Sequence, residues 1–282
     1  MSNFSVGVLL NSFRTDIPTA LGLAAKVGAQ GIQVYATSGD MAPENLTAAK
    51  RRALLDMVKS HGLVISALCG DLGGGGFTRA EANSAKIERS KRILELAKDL
   101  ETDVVTTHVG VVPADPAHPR FAILQEACGT LAQYADSLDA HFAIETGPET
   151  GFVLKAFLDS LGSRGVAVNL DPANLVMATG DNPANAVYAL RDYIVHTHAK
   201  DGRMNYYVNP EIVYGMIESD DPILTGPSYE EVPLGEGQVD WDAYLAALRD
   251  IGYTGFLTIE REVGGKPYED IAKAVEFLKM KI

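Results

Sequence analysis

The sequence predicts a closed (β/α)8 barrel, the TIM-barrel architecture, built as a single α/β domain. A β-rich apolar run followed by a stretch with apolar residues at helical spacing recurs about eight times along the chain. Repeated units of this kind call for a parallel sheet, and eight of them are enough to close it. At 282 residues, 46% of them apolar and 22% charged, with no Pro- or Ser-rich linker, the chain has the material for one large core. A doubly wound open sheet is the alternative that the same pattern permits.

The units follow in order. FSVGVLL (4–10) precedes a helical stretch over 16–28, GIQVYA (31–36) precedes 43–60, LVISALC (63–69) precedes 79–99, and DVVTTHVG (103–110) precedes 120–139. HFAIETG (141–147) leads to 150–162, VAVNLD (166–171) to 183–190, YIVHTHAK (193–200) to 240–250, and GFLTIERE (255–262) to 268–280. Asp240 is placed to cap the helix that starts at Trp241, which gives that Trp a structural role. The one long interruption, 201–239, reads as a lid or binding loop between strands seven and eight. Its tyrosines, in NYYVNPEIVYG (205–215), are expected to wall a substrate from water or to form an oligomer contact. GDLGGGGF (70–77) lacks both the GK[ST] of a phosphate-binding loop and GxGxxG spacing, so it reads as backbone passing close to a substrate, or as a loop that moves.

Composition narrows the function. A net charge of −13 repels phosphate backbones and argues for a small-molecule partner and against nucleic acid. The N-terminal run is too short for a membrane span and has no basic flank, so a cytoplasmic location without membrane attachment is expected. Cys69 and Cys128 are far apart, have no CxxC spacing, and are expected as buried free thiols. A homo-oligomer is compatible with all of this.

In a barrel of this type the active site forms at the C-terminal ends of the strands. Strand five ends in Glu145, strand six in Asp171, strand seven carries His196 and His198, and strand eight ends in Glu260. Any one of these residues alone is equally a helix cap or a solvated loop residue, and Asp171 precedes Pro172 as a helix start would. Together they place three carboxylates and an imidazole in apolar runs, where unpaired charge is costly. A shared cation resolves that cost. The donor set suits Mn²⁺, Co²⁺ or Mg²⁺, with Zn²⁺ also open.

HAKD (198–201), VPLGEGQVDW (232–241) and IGYTGFLTIERE (251–262) resemble, in order and spacing, the xylose-isomerase-like TIM barrels, a family that includes sugar phosphate isomerases, ketose 3-epimerases and inosose dehydratase. The resemblance runs over nearly the whole chain. It implies one divalent metal ion held by Glu145, Asp171, His198 and Glu260, with His198 rather than His196 as the imidazole ligand. It also implies that Glu145 and Glu260 exchange a proton with a carbohydrate substrate through a metal-bound enediolate, giving an isomerase or epimerase. A lyase that dehydrates a keto-sugar or keto-inositol would share every one of these residues, whereas an endonuclease IV-type hydrolase lacks its further ligands here.

His108, Asn174 and Lys200 are the candidate substrate contacts, with a Lys200–Asp201 ion pair as the structural alternative for the lysine. Arg120 and Arg203 are candidates to meet a phosphate or carboxylate. Asn174 stands where several relatives carry histidine, and Met204 where the epimerases carry arginine. Only Gly264, Gly265 and Lys266 offer an anion nest, so an unphosphorylated substrate is expected.

Overall fold

The structure is a computed structural model and describes residues 4–218 and 226–282. Eight parallel strands close into a barrel: β1 (Ser5–Leu9), β2 (Gly31–Tyr35), β3 (Val64–Cys69), β4 (Val104–Thr107), β5 (His141–Glu145), β6 (Val166–Leu170), β7 (Ile194–Ala199) and β10 (Phe256–Ile259). The order around the barrel is β1, β10, β7, β6, β5, β4, β3, β2, and the β1–β10 pairing excludes the open sheet.

The outer helices start where the sequence supplies a cap. Asp16 accepts from the Thr19 amide at the head of α1 (Ile17–Val27), and the left-handed Gly28 ends that helix. Thr47 caps α2 (Ala48–Ser60), which begins five residues later than the helical spacing suggests because residues 43–45 form a turn, closed by the Asn45 amide on the Ala42 carbonyl. Helices α3 (Ala80–Asp99), α4 (Pro119–Ser137) and α5 (Gly151–Leu161) follow their strands as expected. After β6 there are two helices instead of one, α6 (Pro172–Thr179) and α7 (Pro183–Leu190).

The 201–239 segment is not a plain loop. It contains an antiparallel pair, β8 (Asp201–Met204) with β9 (Tyr229–Val232), and a short helix α8 (Pro210–Val213). The structure closes with α9 (Trp241–Asp250), β10 and α10 (Pro267–Lys281); Asp240 accepts from the Ala243 amide and caps α9 as expected.

Two faces of the barrel do different work. Its outer face, through residues such as Ile32, Phe142, Ile144, Val168 and Leu257, packs against the helices in the main apolar core. Inside, Ala67, Val104, Ala143 and Ala167 form a small apolar layer. Gln33, Thr106, Asn169, His196 and Thr258 are buried polar residues joined by hydrogen bonds, and they lead up to the C-terminal mouth. Cys69 and Cys128 are both buried free thiols. Among the described residues no helix is long and apolar enough to cross a membrane.

Candidate active site

Strand alternation brings the four expected ligands to one point. Glu145 ends β5, Asp171 follows β6, His198 lies in β7, and Glu260 follows β10, all buried. One donor atom from each lies within 4.8 Å of the others. His198 Nδ1 is the focus, 3.3 Å from Asp171 Oδ2, 3.3 Å from Glu260 Oε2 and 3.4 Å from Glu145 Oε1. Asp171 also accepts from the Asn174 amide, so it caps α6 and belongs to the quartet at once.

The imidazole is oriented from behind. Gln33 Oε1 lies 2.8 Å from His198 Nε2 and, as an acceptor, keeps a proton there, which leaves Nδ1 as the atom that faces the carboxylates. Gln33 is itself held by its donation to Thr106 Oγ1. Asn169 donates to Glu145 Oε2 (3.0 Å), and its oxygen lies 2.8 Å from His196 Nδ1. His196 Nε2 meets the Thr258 hydroxyl at 2.9 Å, and burial pushes its pKa well down, so it is a neutral support below the site and not a member of the quartet.

Charge in the quartet is unbalanced without a cation. Burial pulls the His198 pKa down, but Glu145 and Glu260 outweigh it and hold it well above the ordinary value. Burial raises Glu145, while His198 and His108 bring it below the usual carboxylate range; Glu260 is likewise held low against burial by Lys200 and His198. Three buried carboxylates facing one imidazole Nδ1, of which, among the described residues, only Glu260 has a lysine partner, fit a divalent cation by number, chemistry and spacing.

Glu145, His198 and Glu260 floor a cavity of about 480 Å³ at the barrel mouth. His108, just past β4, lines it, with Nδ1 3.2 Å from Asp71 and Nε2 3.5 Å from Glu145. Asn174 donates to Glu145 Oε1 (3.1 Å) and to the Thr146 carbonyl. Lys200 reaches Glu260 (3.0 Å) and Glu262 (2.5 Å). All three candidate substrate contacts therefore line the cavity, and each also touches a carboxylate of the site or its rim.

The model of the xylose isomerase-like TIM barrel family matches residues 21–281. The chain belongs to this family. An uncharacterised Bacillus subtilis protein, YfiH, is 29% identical over 161 residues; that stretch is 56% of this chain and 49% of the relative, so the match covers about half of that protein's length. A xylose isomerase domain protein from Planctomyces limnophilus matches with a TM-score of 0.79 at 24% identity, over 99% of this chain and 96% of that one. The probable 3-DHS dehydratase AsbF of Bacillus anthracis gives 0.74 at 19%, over 98% and 99%. A D-psicose 3-epimerase from Clostridium cellulolyticum H10 gives 0.72 at 14%, over 99% of each chain. At these identities the likeness is one of fold.

Several sequence expectations are corrected in this xylose isomerase-like barrel. Lys200 and Asp201 do not pair: Asp201 turns away from the cavity and accepts from the amides of Gly202, Gly235 and Val239 and from Trp241 Nε1. Arg120 is engaged by Glu211, and Arg203 by the Glu236 carbonyl and Glu230. The glycines of 73–76 do not line the cavity; all four are left-handed, and a Cβ on Gly76 would overlap the Val109 backbone, so they allow two loops to pack closely. Asp71 from the same stretch does line the cavity, and so does Tyr214 of the 205–215 aromatic group. Tyr206 instead donates to the Gly226 carbonyl.

Sequence reasoning missed Gln33, Asn169 and Asp71. The signal for the first two is a lone amide in the inward phase of a buried strand.

Proposed function

We propose that the protein is a divalent-metal-dependent isomerase or epimerase of a sugar or sugar derivative, with Glu145 and Glu260 as the proton carriers. The observation that carries this reading is the convergence of three buried carboxylates on Nδ1 of His198. A divalent cation held by Glu145, Asp171, His198 and Glu260 (Mn²⁺, Co²⁺ or Mg²⁺ by donor type) supplies electrostatic stabilisation to negative charge on substrate oxygens. β5 and β10 are separated by β6 and β7 around the barrel, so the two glutamates approach the focus from different sides. Both are held ionised, as a base must be before it takes a proton from the carbon beside a carbonyl. Asn169 and Asn174 fix the aim of Glu145, and Lys200 fixes that of Glu260. Delivery of the proton to the neighbouring carbon, the former carbonyl carbon, gives isomerisation, and its delivery to the original carbon from the opposite face by the other glutamate gives inversion.

Replacing Glu145 or Glu260 by Gln keeps the size and one oxygen donor while removing the base. Solvent deuterium entry into an accepted keto-sugar is expected to fall by ~10²- to 10⁴-fold with metal still bound. Both metal-loaded variants exchanging at near wild-type rate would end this reading.

One observation favours dehydration as a second reading. The His108 imidazole, backed by Asp71, lies beside Glu145, where it could protonate a departing hydroxyl after the same proton abstraction. Loss of water from the substrate, followed by NMR, separates the two outcomes.

A further inference from the structure

We infer that the substrate is uncharged and carries an apolar substituent of about the size of a phenyl ring, received by Tyr214 and Tyr229 in the outer part of the cavity. The inference rests on the sugar-processing reading above and adds the class of substrate. Charge and exposed surface support it independently.

The wall of the cavity is acidic. Above the quartet stand Asp71, Glu230, Glu231 and Glu262. The cationic side chains around the mouth are already engaged by the protein. Lys200 is held by Glu260 and Glu262, Arg261 lies between Glu231 and Asp270, and the His108 imidazole lies between Asp71 and Glu145. Arg14 donates to the carbonyls of Val263 and Gly264. Residues 219–225, SDDPILT, contain no Lys or Arg in their sequence. A phosphate or carboxylate entering here would leave water for a wall whose cations are already committed to its carboxylates, with no free guanidinium or ammonium to meet it among the described residues. A cation in the quartet offsets charge at the floor and leaves the acidic rim in place.

The wall also has an apolar part. Leu9, Met177, Ala178, Val263 and the rings of Tyr214 and Tyr229 line it. Tyr214 and Tyr229 remain 40% and 41% exposed and Val263 48%, so large rings face solvent at the mouth instead of packing into the core. A Cβ on Gly147, in the loop after β5, would lie 3.8 Å from the Tyr214 hydroxyl, so this side chain reaches across from the β8–β9 side. The cavity volume of about 480 Å³ falls among pockets that enclose ligands larger than one monosaccharide. A free sugar bound over the quartet leaves these rings in water. A phenyl-sized substituent covers them and gains the free energy of apolar burial.

Calorimetric titration of the protein in excess Mn²⁺ with methyl β-D-glucopyranoside, phenyl β-D-glucopyranoside and glucose 6-phosphate tests this. The phenyl glycoside is expected to bind about ten-fold more tightly than the methyl glycoside, as burial of one ring face implies, with the phosphate weakest. Tyr214→Ala and Tyr229→Ala should bring the phenyl-to-methyl ratio toward unity, and Tyr214→Phe should restore it, which a folding defect would not do. Equal affinities for the two glycosides, no binding of either, or tightest binding of the phosphate overturns the inference. So does sedimentation showing a wild-type dimer that the Tyr→Ala variants split, because the rings would then serve a second copy. Mn²⁺ uptake and deuterium entry on the same preparation report on the metal-site proposal separately, so each can fail alone.

Discussion

His198 can serve as a ligand only when Nδ1 is bare, and two buried amides arrange for that. Gln33 accepts a hydrogen bond from Nε2–H, and Asn169 holds Glu145 beside it. Replacing Gln33 by Leu is expected to weaken Mn²⁺ binding by about 10- to 100-fold, the usual effect of losing a partner behind a ligand. An unchanged dissociation constant would remove Gln33 from the site. The carboxylates raise the His198 pKa, so in the metal-free protein a proton competes for Nδ1. Metal uptake should therefore release about one proton, and affinity should rise with pH while His198 is protonated. Calorimetry in buffers of different ionisation enthalpy measures this, and zero release would contradict the ligand assignment. Glu145, Asp171 and Glu260 stand out in the sequence because each closes a buried run with charge, whereas His198 is singled out from His196 by the resemblance of HAKD to the family motif. Gln33 and Asn169 do not stand out, because one amide inside GIQVYA or VAVNLD carries no sign of what lies across a closed barrel.

At the scale of elements, legibility followed periodicity. Strands and helices with a clear repeat lie within a few residues of where the sequence puts them, and the exceptions have local causes. Helix α6 is only two turns long and starts at the Asp171–Pro172 pair, so its pattern is hard to distinguish from a turn. β8 (DGRM) and β9 (YEEV) have no apolar alternation, and their pairing depends on contacts from outside the hairpin. Asp201 is the main one: its carboxylate gathers the Gly235 and Val239 amides and the Trp241 indole, which pins the segment carrying β9 against the barrel. A Cβ on Gly237 would overlap that carboxylate, so only glycine fits there. Asp201→Ala leaves these buried donors without an acceptor, at about 1–3 kcal/mol each before relaxation. An overall loss of ~3–5 kcal/mol in denaturant unfolding is expected, and Gly237→Ala should also destabilise. A loss below about 1 kcal/mol for Asp201→Ala would mean that the segment is held by other contacts.

For the molecule as a whole, closure of the barrel buries ionisable groups that the proposed chemistry does not use, and these tie stability to pH. Glu149, in the loop between β5 and α5, is buried and accepts from the Val112 amide at 3.3 Å. Burial raises its pKa to about 8, and neither the Val112 bond nor the nearby His108 offsets this. In the unfolded chain the same group titrates near its ordinary value of 4.5. Below that value it is protonated in both states and costs the fold nothing. As pH rises from 4.5 toward 8, the unfolded chain releases the proton while the folded one retains it, so stability falls across that window and levels off above it. Glu149→Gln keeps the oxygen that accepts from Val112 and removes the titration, and every other group, the excess of acidic charge included, is common to both proteins. Unfolding free energies measured at fixed metal concentration should therefore diverge steadily between pH 4.5 and 8, with the variant gaining relative to the wild type by on the order of a few kcal/mol at the upper end. A difference that stays flat across the window would mean that Glu149 is ionised at little cost in the folded protein, through solvent or a partner reaching it from the barrel mouth.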